Sequence, residues 1–157
     1  MPRVLIIAYG NPLRSDDGVA WRAAEALRQK FSPAEIEIHC LHQLAPELAE
    51  TVSRFPCVIF VDAASSRDTG NPGEIRVEEL SGKDPADSGS PFFHALSPLT
   101  IIRLAERLYG AKPRTFSVTV TGQNFDHGEA LSPAVAAALP DLVARIQALV
   151  RDCDAAS

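Results

Sequence analysis

The chain has 157 residues, of which 46% are hydrophobic and 22% charged. That suits a single globular domain over 1–157, which needs no disulfide or structural metal for stability. A net charge of −5 argues against nucleic acid or an anionic membrane as the main partner, since both call for a basic face.

The first apolar run, Val4 to Ala8, reads as a central strand buried on both faces, and Gly10-Asn11-Pro12 ends it. It is too short for a signal peptide or a membrane span. Val19, Ala20, Ala23, Ala24 and Leu27 then recur at helical spacing, with Ser15 or Asp16 as the expected N-cap. Ile36 to Leu41 alternates as a second strand, and Pro46 to Val52 makes a short helix. Cys57 to Val61 is a third strand, buried on both faces and ended by Asp62. Glu74 to Leu80 reads as a strand and Ser81 to Pro91 as a loop. Ser97-Pro98 opens a helix that Gly110 closes. Thr115 to Val120 is a further strand. Ser132-Pro133 opens the final helix, in which Pro140 predicts a kink or a short break and the tail after Arg151 is expected to fray. Cys40, Cys57 and Cys153 form no CxxC pair and read as thiols, which fits a reducing cytoplasm.

Strands alternating with helices predict an α/β fold, an open and largely parallel sheet with helices on both faces. In such sheets the ligand lies beyond the carboxyl ends of the strands. The first loop there, Gly10 to Gly18, lacks both the GxGxxG and the Gly-Lys-Ser/Thr patterns, which disfavours a nucleotide. It carries two carboxylates instead. Asp16 and Asp17 can offset a helix dipole or serve a site. Asp62 faces the crevice, where a partly desolvated carboxylate is costly unless paired or bound to a cation. Among the histidines, His39 reads as structural or surface and His127 as solvated, His42 can line the crevice, and His94 can swing toward it. Two carboxylates and an imidazole suit a divalent first-row metal with open positions. No HExxH, cysteine cluster or GxSxG elbow competes for the role.

Gly10-Asn11-Pro12-Leu13-Arg14-Ser15-Asp16-Asp17-Gly18-Val19, then Val61-Asp62-Ala63, then His94 before Ser97-Pro98, resembles the hydrogenase maturation endopeptidases. His42-Gln43-Leu44-Ala45-Pro46-Glu47-Leu48 is similar to a segment of one branch of that family. The resemblance runs from Val4 to about Leu149. It implies a three-layer fold, a twisted sheet of about five strands between helices. It also implies a protease that cuts the C-terminal extension from the large-subunit precursor of a nickel-iron hydrogenase. The family's metal-contacting positions fall on Asp17, Asp62 and His94. The first of these is often glutamate in the family; aspartate is one methylene shorter. On this reading the nickel comes with the precursor, and these three residues complete its coordination and dock the scissile peptide. Asn11 is expected to donate near the developing oxyanion, Asp16 to orient the centre or cap the helix, and Gln43 to orient substrate. The expected enzyme is a cytoplasmic monomer whose partner is the precursor, without nucleic acid or membrane. The alternative is a non-cleaving, metal-dependent chaperone for the same subunit, which would use the same three ligands.

Overall fold

The computed structural model describes residues 2–65, 70–83 and 96–155. Its strands are β1 (Val4–Tyr9), β2 (Ile36–Leu41), β3 (Cys57–Ser65), β4 (Ile75–Leu80) and β5 (Arg114–Gly122). Its helices are α1 (Val19–Lys30), α2 (Leu48–Ser53), α3 (Pro98–Tyr109) and α4 (Pro133–Ala155). The strands form one five-stranded sheet in the order β2-β1-β3-β5-β4. All neighbours are parallel except β4, which runs antiparallel to β5.

Alternate side chains of the central strands feed two separate cores. Val4, Ile6 and Ala8 of β1 and Ile59 and Val61 of β3 pack with Ala23 and Leu27 of α1 and Leu142 and Ile146 of α4. Leu5, Ile7, Val58 and Phe60 pack on the other side with Val52 of α2 and Ile101 of α3. A strand covered on both faces has no position for a polar residue, which is why β1 and the first half of β3 are continuous apolar runs. Each fully buried Ile or Leu stabilises the fold by about 1.5–3 kcal/mol.

The ends of α3 follow the sequence signals. Ser97 Oγ accepts from the Thr100 N–H at 3.2 Å, and Gly110 closes the helix at φ 65°, in the left-handed region. Elsewhere the structure departs from expectation. Helix α4 runs unbroken through Pro140. Pro140 and Ala136, whose carbonyl loses its partner there, both lie on the exposed face, so water can satisfy that carbonyl. The helix also continues past Arg151, because Cys153 is buried and forms a disulfide with Cys57 at the start of β3, 96 positions away. Of the three expected thiols, Cys40 is free. By length and composition α4 could cross a membrane. In this fold its Val135, Leu142, Val143, Ile146 and Val150 are buried in the core.

Strand β3 does not stop at Asp62. Pairing with β1 ends at Ala8–Val61, whereas β5 stays alongside from Asp62–Thr119 to Ser65–Gly122. The second half of β3 is held by pairing with β5, not by its own composition. Beyond Val61 the strand therefore has a neighbour on one side only. The gap opens between β1 and β3, where the chain, having placed β2 on one side of β1, returns to the other. That is where an open α/β sheet forms its crevice.

Candidate active site

After β1 the chain folds back over the end of its own strand. Gly10 permits this at φ +141°, since a Cβ there would overlap the backbone carbonyl of Asp17. A 3-10 turn, Ser15–Gly18, leads into α1, which has Gly18 before it and no side-chain cap. The side chains expected to cap this helix instead clasp the connection between β5 and α4. Ser15 Oγ donates to the Asp126 carbonyl at 2.8 Å, and Ser15 N donates to the Gly128 carbonyl at 2.8 Å. These bonds hold Ser15 at φ 51°.

Asp16 is 0% exposed. Its Oδ2 accepts from Gln123 N at 2.7 Å, Asn124 N at 2.9 Å and Ser132 Oγ at 2.8 Å, and its Oδ1 accepts from Ser132 N at 2.7 Å. Burial pushes the Asp16 carboxyl up, but the backbone N–H groups of Ser132, Asn124 and Gln123 and the Ser132 hydroxyl outweigh it and hold it below its usual value. Asp16 neither caps α1 nor lines the crevice. It reaches the centre only by anchoring the turn that carries Asp17.

Asp17 points the other way. Its Oδ2 accepts from Asn11 N at 2.8 Å. The Asn11 side-chain oxygen accepts from Leu13 N at 2.9 Å, so Asn11 meets the centre through its backbone. Asp62 continues the face of β3 that carries Val58 and Phe60, at the point where that face leaves the core. Its Oδ1 accepts from Ala63 N at 2.8 Å, and Tyr9, one step beyond the last β1–β3 pair as Asp62 is, lines the same crevice. Burial pushes the Asp62 carboxyl up to about 7; the Asp17 charge adds to the rise, while the Ala63 N–H and the Tyr9 hydroxyl oppose it.

Asp17, Asp62 and Tyr9 share a crevice of about 470 Å³ with His42 and Gln43, walled by Leu44, Pro46 and Leu96. The His42 ring meets Trp21 edge-on, with centroids 5.4 Å apart, and Trp21 Nε1 is tied to the Leu41 carbonyl at 3.1 Å. His39 pairs with Glu37 at 2.8 Å and His127 lies in an exposed loop. His94 lies outside the described residues, and among those described no group of three His, Cys, Asp or Glu side chains could hold a metal. Among the described residues lining the crevice there is no Lys or Arg. Two neighbouring carboxylates, one of them near neutrality and neither facing a cationic side chain among the described residues, form a donor set that fits a divalent cation.

No protein-family model matches the sequence, and no curated protein matches it. Solved structures do match. The hydrogenase maturating endopeptidase HybD from E. coli superposes with a TM-score of 0.73 at 23% identity, over 96% of this chain and 93% of that one. An endopeptidase from Escherichia coli solved in solution gives 0.75 at 24% identity, over 96% and 93%. The [NiFe] hydrogenase maturation protease HycI from Thermococcus kodakarensis gives 0.74 at 19% identity, over 95% and 92%. The fold is that of the hydrogenase maturation endopeptidases.

On this fold one residue of the crevice escaped the sequence reading. Tyr9 is the last residue of β1, two beyond Ile7 on the face that also carries Phe60 and Asp62. The available signal was period-two alternation: a phenol ending a buried aliphatic strand needs a hydrogen-bond partner.

Proposed function

We propose that the protein is an endopeptidase that removes the C-terminal extension from the nickel-loaded large-subunit precursor of a nickel-iron hydrogenase. The observation that carries this reading is the meeting of Asp17 and Asp62 in one crevice at the carboxyl ends of the strands. The fold shared with the maturation endopeptidases supports it. Nickel arrives as part of the substrate. Asp17, Asp62 and His94 supply ligands to it and so bring the scissile peptide over the crevice. A cation between the carboxylates also removes the repulsion that Asp17 exerts on Asp62. Bound there, the metal supplies Lewis-acid polarisation of the scissile carbonyl. A carboxylate oxygen left free of metal accepts the proton of the attacking water. Gln43, at the rim, holds the peptide chain in register. The protein acts as a monomer on the free precursor.

The test is incubation with nickel-loaded precursor, read by mass. The expected result is loss of the tail mass, abolished by Asp17→Ala, Asp62→Ala and His94→Ala. Tail removal left intact in all three variants would overturn the proposal. A stable complex with the precursor mass unchanged would identify a chaperone instead. Cleavage of nickel-free precursor at full rate would remove the metal-reading role.

A further inference from the structure

We infer that Trp21 is a positioning residue for His42, and that His42, so held, hydrogen-bonds the main chain of the precursor beside the scissile bond. The inference rests on the reading proposed above and names a peptide contact within the same crevice. Leu41 ends β2, and its carbonyl takes two donors, Gly10 N at 3.0 Å from the end of β1 and Trp21 Nε1 at 3.1 Å from the first turn of α1. The chain leaving β2 is therefore fixed at the peptide bond that precedes His42. The same indole meets the His42 ring with centroids 5.4 Å apart and planes at 90°, a favoured arrangement of two aromatic rings. Trp21 thus holds both the backbone and the ring of one residue. His42 is exposed and lines the crevice, and neither of its ring nitrogens has a hydrogen-bond partner among the described residues. A neutral imidazole offers a donor at one nitrogen and an acceptor at the other, which matches the N–H and C=O groups of an extended peptide. His42 does not belong to the metal centre, since with Asp17 and Asp62 it forms no group able to hold an ion. It follows β2, whereas Asp62 lies on β3, on the far side of β1. A peptide whose nickel sits at the two carboxylates meets His42 with its flanking main chain and not with its metal.

The experiment is processing of nickel-loaded precursor, read as KM and kcat, by the full chain as wild type, His42→Phe, His42→Gln, Trp21→Phe and the double variant His42→Phe/Trp21→Phe. Ni²⁺ titration and thermal melting of each accompany it. His42→Phe keeps a ring against Trp21 and removes both nitrogens; Trp21→Phe keeps a ring against His42 and removes the donor to the Leu41 carbonyl. The expected result for His42→Phe is a KM about 3–10-fold higher, with kcat and Ni²⁺ affinity within about twofold of wild type. His42→Gln, which retains a donor and an acceptor, should recover part of the loss. Trp21→Phe should raise KM about threefold in the wild type and less than about 1.5-fold when added to His42→Phe. An unchanged KM in His42→Phe would overturn the inference, and so would a 10-fold fall in its Ni²⁺ affinity, which would make His42 a metal ligand. An equal rise from Trp21→Phe in both backgrounds would overturn its positioning role. Precursor bound but not cut by the wild type, and bound about 3–10-fold more weakly by His42→Phe, would overturn the protease reading and sustain the His42 contact. Precursor neither bound nor cut by the wild type would overturn both.

Discussion

Asp16→Asn separates the two adjacent aspartates of the turn. The carboxylate takes three donors on Oδ2 and one, the Ser132 N–H, on Oδ1. An amide oxygen can replace only one of these atoms. Placed at Oδ2 it keeps the larger set, and its NH₂ then confronts the Ser132 N–H, donor against donor. One bond to a charged group is lost, at about 1.5–3 kcal/mol, and a buried donor is orphaned, at about 1–3 kcal/mol. These costs overlap, so the net expectation is about 2–4 kcal/mol, or about 6–12 °C in Tm for a domain of this size. The pH dependence has a definite sign. The folded Asp16 carboxyl lies below its unfolded value, so its stabilisation is complete above the unfolded carboxylate pKa of about 3.9 and is lost as pH falls through the lower folded value. Calorimetric melts at pH 7 and pH 3 should therefore show a gap between wild type and variant that is full at pH 7 and narrows in acid. Asp17→Asn keeps an acceptor for the Asn11 N–H and should melt within about 2 °C of wild type while abolishing precursor processing. If Asp16→Asn melted with the wild type, or if the gap were the same at both pH values, the assignment of Asp16 as the anchor would be wrong.

The Asp62 carboxyl, pushed up to about 7, holds in the folded state a proton that the unfolded chain has lost between about pH 4 and 7. Stability from this group thus falls as pH rises through that window. Asp62→Asn should be on the order of 2 kcal/mol more stable than wild type at pH 8 and about equal at pH 4, by urea unfolding; equal stability at both would remove the group from the balance. Gly10→Ala should cost at least about 2 kcal/mol and abolish processing, because a side chain at φ +141° overlaps the Asp17 carbonyl; melting and the processing assay read both effects. Thiol titration of the unfolded chain without reductant should find Cys40 alone. Cys153→Ser should then cost about 2–4 kcal/mol under oxidising conditions and much less in reductant, as measured by paired unfolding curves.

What was legible in the sequence was whatever a local pattern encodes. Val4 to Ala8 and Cys57 to Val61 had to be doubly covered strands, since no position in either is polar. The carboxyl-end rule then drew attention to Asp17 and Asp62, which the structure places in one crevice. What was not legible depends on partners distant in the chain. The Cys57–Cys153 bond spans 96 positions, and the extension of β3 through Ala63-Ala64-Ser65 is imposed by β5. The choice between Asp16 and Asp17 belongs to the same class. Consecutive residues of a 3-10 turn point about 120° apart, so only one of the pair can face the crevice. Which one does so is decided by the segment 122–132, whose N–H groups claim Asp16. Motif and site are therefore coupled through a connection that carries no motif. A substitution in that connection that tilts the turn should move Asp17 without touching any residue of the crevice, so the geometry of the acidic pair depends as much on the β5–α4 connection as on Gly10 to Gly18.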